Sequence, residues 1–235
     1  MIAGIQTMIA GIQIAGGKTG VTEFPSRIQG DDMRMFRFVL VGLALCSAGF
    51  QAQARSVYGI IGVEPLSLLI SPDIDGFSVT SRTRWRTATE RIEGEGSFTP
   101  MLKGGVRFQS RPVIQDIVVG GGILVNDVFN APIGTLESRT HFRLGRVFSM
   151  GPKLGVIMIG EPSWDGVSDV SLSSTAGIDI GLALSIDTRR VAFGVSLSYM
   201  ALAPLDVETG GGWEASDNEL DMSGAAIQLG VRFLL

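Results

Sequence analysis

Residues 170–187 read VSLSSTAGIDIGLALSID and interleave two patterns of different polarity. The even positions are mostly apolar: Val170, Leu172, Ser174, Ala176, Ile178, Ile180, Leu182, Leu184 and Ile186. The odd positions, from Ser171 to Asp187, are small or polar and include Asp179. A period of two residues is typical of a β-strand whose two faces meet different surroundings. The run exceeds the usual strand of about 5–6 residues, which favours a strand that crosses a membrane.

The same alternation recurs before and after this stretch. Clean examples are residues 98–109, 136–148, 191–199 and 225–235. Residues 57–70, 113–125 and 153–160 are less regular, because apolar residues occur on both of their faces. Together with 170–187, these segments predict eight strands.

The connections between the predicted strands alternate in length. Short breaks lie at 110–112, 149–152 and 187–189, whereas longer polar segments lie at about 71–96, 126–134, 161–169 and 204–219. Short turns on one rim and long loops on the other are typical of membrane barrels. The sequence therefore predicts an all-β fold, an eight-stranded antiparallel up-and-down transmembrane β-barrel. A soluble lipocalin-like barrel is the structural alternative, although its outer face should be polar.

The composition restricts the class of protein further. Of the 235 residues, 45% are hydrophobic and 18% are charged, with a net charge of −4 and a single cysteine. This balance gives no sign of nucleic-acid binding, and one cysteine excludes an intramolecular disulfide framework. An apolar run close to the roughly 20 residues of a membrane-spanning helix occurs only near the N-terminus.

The N-terminal part resembles a secretory signal peptide that follows an extension. Arg34 and Arg37 precede the apolar residues 38–46, and Ala52-Gln53-Ala54 forms a small-x-small cleavage pattern. We expect residues 1–32, in which MIAGIQ occurs twice, to be a non-native or disordered extension, 33–54 to be the signal peptide and 55–235 to be the barrel. An uncleaved anchor is the alternative, and Leu45 before Cys46 disfavours a lipoprotein.

The layout of 55–235 resembles the small Gram-negative outer-membrane barrels related to the membrane domain of outer-membrane protein A. Residues 225–235, AAIQLGVRFLL, resemble the C-terminal signal that the barrel-assembly machinery reads, with Leu235 last and Phe233 two residues earlier. The family usually ends in phenylalanine. The resemblance implies a monomer in the bacterial outer membrane, with outer-membrane lipids, lipopolysaccharide and the assembly machinery as partners.

Several charged residues fall on the predicted inward faces. They are Lys103, Arg107, Glu137, Arg139, His141, Arg143, Asp179, Asp187 and Arg232. The lumen of an eight-stranded barrel is just wide enough for side chains to fill it. Both signs are present, which favours a salt-bridged polar core, while an ion path is the alternative. We expect Asp179 to pair with an inward arginine.

His141 is the only histidine, so a histidine-dependent enzyme would have to use it. Lipid A 3-O-deacylases carry a serine two residues after the catalytic histidine, whereas Phe142 and Arg143 follow here. Gly120–Gly122 lacks the lysine and serine or threonine of a phosphate loop, and the acidic last loop lacks EF-hand spacing. No catalytic residue, metal or cofactor is therefore expected.

One basic segment, RTRWR at residues 82–86, falls in the first predicted extracellular loop. Arginine binds phosphate through paired hydrogen bonds, and tryptophan favours membrane interfaces. Arg82, Arg84, Trp85 and Arg86 are therefore candidates for contact with lipopolysaccharide.

The residues leave three functional classes open. The sequence favours a non-enzymatic outer-membrane barrel with a structural or surface-interaction role through its loops. A narrow channel for ions or small solutes is the alternative, and a lipid A-modifying enzyme is the third hypothesis.

The signal-peptide pattern predicts that the mature protein begins at Arg55, because cleavage follows the small-x-small site. N-terminal sequencing of protein extracted from membranes measures this directly. A mature chain that retains residues before Met33 would contradict the prediction.

Overall fold

The structure, a computed structural model, describes residues 54, 56–82, 86–164 and 169–235. The predictions for 1–32 and for the signal peptide lie outside these residues, apart from Ala54. Eight long strands form the body of the described part. They are β1 (Ser56–Ile70), β2 (Met101–Gln109), β3 (Val113–Val125), β4 (Phe129–Arg143), β5 (Phe148–Ile159), β6 (Thr175–Asp187), β7 (Val191–Leu202) and β8 (Gly224–Leu234).

Each strand pairs antiparallel with the next one in the chain, and the last strand returns to the first. The closing pair, β1 with β8, runs from Ile60 opposite Leu234 to Ile70 opposite Ala225. Closure satisfies the backbone N–H and C=O groups that an open sheet edge would expose. The predicted eight-stranded up-and-down barrel is therefore confirmed.

The period-two pattern sorts side chains between the wall and the lumen. In β6, Ile180 and Leu182 are 52% and 55% exposed on the outside, whereas Asp179 and Ser185 are buried inside. The predicted faces of β7 and β8 are also correct, with Phe193 and Ile227 outside and Ser196 and Gln228 inside.

A β-bulge explains why β1 looked irregular in the sequence. The pairing of β1 with β8 shifts between Val63 and Leu66, so one extra residue is inserted in β1. Outward positions are odd before the bulge, as at Val63, and even after it, as at Leu66 and Leu68. Pro65 lies at the shift, where a residue without an N–H group is tolerated.

The stretch 170–187 is not one strand, and this prediction is wrong at its N-terminal end. Val170–Leu172 is a separate strand that pairs with Leu205–Thr209 above the barrel. Val170 and Leu172 are buried in a hydrophobic cluster instead of facing outward. An apolar alternation alone does not distinguish a lipid-facing strand from one that packs on a core.

Two connections also differ from the prediction. The turn between β4 and β5 lies at 144–147 instead of 149–152, so Ser149 and Lys153 both belong to β5. The link between β3 and β4 spans only 126–128, because β4 begins at Phe129. The other three connections on that side are long, at 71–100, 160–174 and 203–223.

We call this side the loop rim. The opposite side, with turns at 110–112, 144–147 and 188–190, is called the turn rim.

An apolar core closes the barrel at the loop rim. Inward strand residues such as Met101, Leu124, Ile159 and Met200 pack there with residues of the long loops. The loop residues include Ile74, Phe77, Val79, Trp164, Leu205 and Met222. Short strands join the loops to each other, as where Trp213–Ala215 pairs with Ser78–Arg82. The described residues of the long loops therefore pack over the end of the lumen.

The outer wall of the barrel is an apolar belt. Every barrel strand contributes at least one large exposed apolar residue, for example Val57, Leu102, Val119, Phe142, Met158, Ile180, Phe193 and Ile227. Exposed apolar area of this extent marks an interaction surface or a membrane-facing surface. Among the described residues, no helix has the length and apolarity needed to cross a bilayer.

Ile180→Arg tests the assignment of the wall. Ile180 lies near the middle of β6 and faces outward, so in phospholipid vesicles the new charge is placed among acyl chains. We expect a loss of about 2–4 kcal/mol in the free energy of unfolding. Thr209→Arg, at an exposed position on a loop strand, is the matched control and should change stability little. Equal losses in a urea titration of vesicle-folded protein would show that the assigned faces are wrong.

Candidate functional site

Two groups of ion pairs fill the lumen below the apolar core. The first, the turn-side cluster, comprises Arg107, Asp116, His141, Asp187 and Arg232. Arg107 donates from Nε and Nη2 to the two carboxylate oxygens of Asp116, at 2.7 and 2.8 Å. Arg232 Nη1 donates to Oδ2 of the same carboxylate at 2.6 Å. Asp116 is fully buried, so one carboxylate holds two buried guanidinium groups together.

Asp187 completes the turn-side cluster at the end of β6. Its Oδ1 accepts from Arg107 Nη1 at 2.8 Å and from the Ser185 hydroxyl at 3.1 Å. Its Oδ2 accepts from the Ser149 hydroxyl at 3.0 Å. Arg107 lies on β2, Ser149 on β5 and Asp187 on β6. These hydrogen bonds therefore connect three strands across the lumen.

The second group, the loop-side cluster, comprises Glu64, Lys103, Glu137, Arg139, Lys153 and Asp179. Arg139 bridges two carboxylates, since Nη2 lies 2.6 Å from Glu64 Oε1 and Nε lies 2.9 Å from Glu137 Oε2. Lys103 Nζ bridges the same two carboxylates at 2.6 Å from Glu64 Oε2 and 2.5 Å from Glu137 Oε1. Each charge in this square therefore contacts two of opposite sign.

Lys153 connects this square to β6. Its Nζ lies 2.6 Å from Asp179 Oδ2, 2.5 Å from Gln228 Oε1 and 3.7 Å from Glu137 Oε1. The contact with Asp179 is an ion pair whose geometry is not that of a hydrogen bond. The expectation that Asp179 pairs with an arginine is therefore wrong. The partner is Lys153, which the predicted turn at 149–152 had placed at the start of a strand.

The formal charges balance within each cluster. The loop-side cluster holds three carboxylates and three cations, and the turn-side cluster holds two carboxylates and two arginines beside His141. Buried charges are tolerated when they are paired and hydrogen-bonded. The formal charges of the lumen side chains therefore neutralise each other within each cluster.

Sequence reasoning missed Glu64, Asp116 and Lys153, which are central to the two clusters. Asp116 and Lys153 lie on strands whose inward faces also carry apolar residues for the loop-rim core, so the alternation of polarity is blurred. Glu64 lies at the bulge, where the parity changes. An isolated charge inside an apolar strand, as in IQDIVV around Asp116, was the available signal.

Glycines on the inward faces make room for the long charged side chains. A Cβ atom at Gly120 would lie 2.8 Å from Lys103 Cγ, and one at Gly62 would lie 2.8 Å from Arg232 Cγ. Gly120–Gly122 is thus part of β3, beside the Lys103 side chain, and not a phosphate loop.

The remaining predicted site residues lie apart from the clusters. Arg143 is the last residue of β4 and is half-buried at the turn rim, without an ion pair to any described residue. Arg82 and Arg86 are exposed on the loop that follows β1, on either side of residues 83–85. Arg84 and Trp85 lie outside the described residues.

His141 is buried in the lumen as part of the turn-side cluster. Its side chain is buried, and Nε2 lies 3.9 Å from Asp116 Oδ2. Neither ring nitrogen makes a hydrogen bond within the described residues, and no serine is bonded to it. Phe142 faces the opposite side of the wall and is 47% exposed. Within the described residues, His141 therefore has no nucleophilic side chain hydrogen-bonded to it.

Metal-binding geometry is also lacking in the part of the chain that the structure describes. No group of three or more histidine, cysteine, aspartate or glutamate side chains in those residues is arranged to hold an ion.

The fold and the lumen together define a closed β-barrel with an apolar wall and an ion-paired interior. No protein-family model matches the chain, and no characterised protein matches it by sequence. Among solved structures, Neisserial surface protein A aligns at 13% identity and a TM-score of 0.43, covering 76% of this chain and 99% of its own.

Two further solved structures align with the chain. The outer membrane protein OprG from Pseudomonas aeruginosa aligns at 10% identity and a TM-score of 0.42, covering 78% of this chain and 97% of its own. The outer membrane protease OmpT from Escherichia coli aligns at 10% identity and a TM-score of 0.18, covering 77% and 95%. At these identities and scores, no activity is transferred from these proteins to this chain.

Asp116→Asn tests which carboxylate holds the lumen together. The substitution leaves two buried arginines without their shared counter-charge, so we expect a loss of about 3–5 kcal/mol in stability. Asp179→Asn should cost less, because Lys153 keeps its contacts with Gln228 and Glu137. Asp217→Asn, on an exposed loop, is the control and should have no effect.

The measurement is the urea midpoint of the heat-modifiable, folded band on gels. Equal midpoints for Asp116→Asn and Asp217→Asn would contradict the central role of Asp116.

Proposed function

We propose that this chain is a non-enzymatic β-barrel of the Gram-negative outer membrane, closed to solutes, that acts through its loop rim. The observation that carries the proposal is the inversion of polarity between wall and lumen. Large apolar side chains such as Ile180 and Phe193 are about half exposed outside, whereas Lys103, Arg107 and Arg139 are buried inside. A soluble barrel has the opposite arrangement, because its outer face meets water.

The contents of the lumen support a closed barrel. A solute would have to pass the loop-rim core and then both charge clusters. In the core, Trp164 packs with its ring centroid 6.1 Å from that of Phe77 and 6.2 Å from that of Phe129. Below it, ion pairs of about 2.6 Å leave no gap between opposite charges. These two unlike layers favour a structural role for the interior.

If the wall faces lipid and the lumen is filled, the loop rim is the surface on that side of the barrel that can contact other molecules. Its short strands tie the first, third and last loops together, as in the pairing of Val170–Leu172 with Leu205–Thr209. Such loops present a fixed surface, because their apolar residues pack into the core beneath them. Contact of Arg82 and Arg86 with lipopolysaccharide stays a prediction of this proposal.

Single-channel conductance distinguishes the closed barrel proposed here from the alternative, a narrow channel for ions or small solutes. We expect the full chain, inserted into planar bilayers, to give no steady single-channel conductance, because both layers block the lumen. A porin inserted under the same conditions is the positive control. A steady open state of the parent protein would overturn the closed-barrel proposal and establish the channel.

The enzymatic alternative is tested separately in the same preparation. Incubation of folded protein with lipid A, followed by mass spectrometry, should show no loss of acyl chains. A loss that disappears in His141→Ala would establish the enzyme.

A further inference from the structure

The turn rim carries a ring of positive charge that the lumen clusters do not use. The three short turns and the last residue of β4 supply five arginines: Arg111, Arg143, Arg146, Arg189 and Arg190. The acidic residue next to them, Asp187 at the end of β6, is paired with Arg107. Four of the five are exposed, and Arg143 is half-buried. None forms an ion pair with another of the described residues, so their guanidinium groups are available to an external anion.

The opposite rim has the reverse sign. The described residues of the four loop-rim connections contain fourteen aspartates and glutamates but only three arginines, at 82, 86 and 91. The chain as a whole has a net charge of −4. The positive turn rim is therefore a local property and does not reflect a generally basic protein.

Backbone hydrogen bonds hold the turns in a fixed ring. Arg143 N donates to Pro112 O at 3.0 Å, which joins the first turn to the second. Asp187 N donates to Val147 O at 2.7 Å, and Leu234 N donates to Arg190 O at 2.8 Å. A preorganised ring loses less conformational entropy on binding than mobile loops would.

The ring lies at the edge of the apolar belt. Around Arg143 and Arg146, the side chains of Phe142, Leu144 and Val147 are 47%, 57% and 53% exposed. A bilayer that covers this belt places its headgroup phosphates beside the arginines, because the phosphates lie just outside the hydrocarbon. Beside Arg111, a polar recess of about 270 Å³ lined by Ser56, Gln109 and Ser110 offers further hydrogen-bonding groups.

We propose that the turn rim binds anionic phospholipid, with headgroup phosphates against the arginines of the three turns. The inference rests on the membrane insertion proposed above and adds a lipid partner on the side opposite the loops. Arginine suits this role because its planar fork forms two hydrogen bonds with one phosphate. Basic residues at a membrane surface attract anionic lipid additively, by about fivefold in affinity for each residue.

The test compares two single variants of the full chain with the parent protein. Arg146 is changed to glutamine in the turn variant, and Arg91 is changed to glutamine in the loop variant. Both residues are exposed, and both variants remove the same formal charge. Native mass spectrometry of folded protein measures the apparent affinity for phosphatidylglycerol and for phosphatidylcholine.

We expect the parent and the loop variant to prefer phosphatidylglycerol by about tenfold or more, and the turn variant to lose most of this preference. Raising the salt from roughly 0.1 M to about 1 M should weaken it as well, because the screening length falls to about 3 Å. Similar losses in both variants, or a parent without a preference, would overturn the inference. So would an affinity for inorganic phosphate equal to that for the lipid.

Insertion is checked independently in vesicles of phosphatidylcholine alone, by heat-modifiable migration. Failure to insert there refutes the proposed function. Normal insertion without a preference for phosphatidylglycerol refutes only the lipid partner.

Discussion

The rest of the structure depends on the pairing of buried charges across the lumen. The carboxylate of Asp116, which is hydrogen-bonded to both Arg107 and Arg232, is the central example. The interior of an eight-stranded barrel is just wide enough for side chains to fill it, and buried charges are tolerated when they are paired, so each charged side chain finds its partner across the lumen. Asp116 lies on β3, Arg107 on β2 and Arg232 on β8, which lies beyond β1. Correct pairing of these charges therefore requires the register of several strands at once.

The interior is built in layers with different physical roles. Ion pairs occupy the turn side and the middle, and apolar side chains occupy the loop end. The charge clusters are directional, because a displaced strand leaves charges unpaired. The apolar core is less specific, but it gives the long loops a surface on which to fold. The inward positions beyond the last charged residues are mostly apolar, and the described residues of the long loops pack on these positions.

The sequence predicts the inward and outward positions correctly in those strands where one face is apolar and the other is polar or small. β6, β7 and β8 meet this condition, so their outward and inward positions are correct from alternation alone. The condition fails in β1, where the bulge reverses parity at Glu64, and in β5, where Ile157 and Ile159 face inward beside Lys153. Partners across the lumen depend on strand stagger, which alternation does not encode, and the pairing of Asp179 with Lys153 is an example.

The charged side chains of the two lumen clusters pair with one another, whereas the wall presents apolar side chains outward. The proposed recognition of other molecules therefore falls to the two rims, which differ in the sign of their charge and in construction. The acidic loop rim is large and rests on an apolar core, whereas the basic turn rim is short and tied together by backbone hydrogen bonds. The two rims of the barrel therefore differ in charge, whereas the wall between them is apolar on every strand.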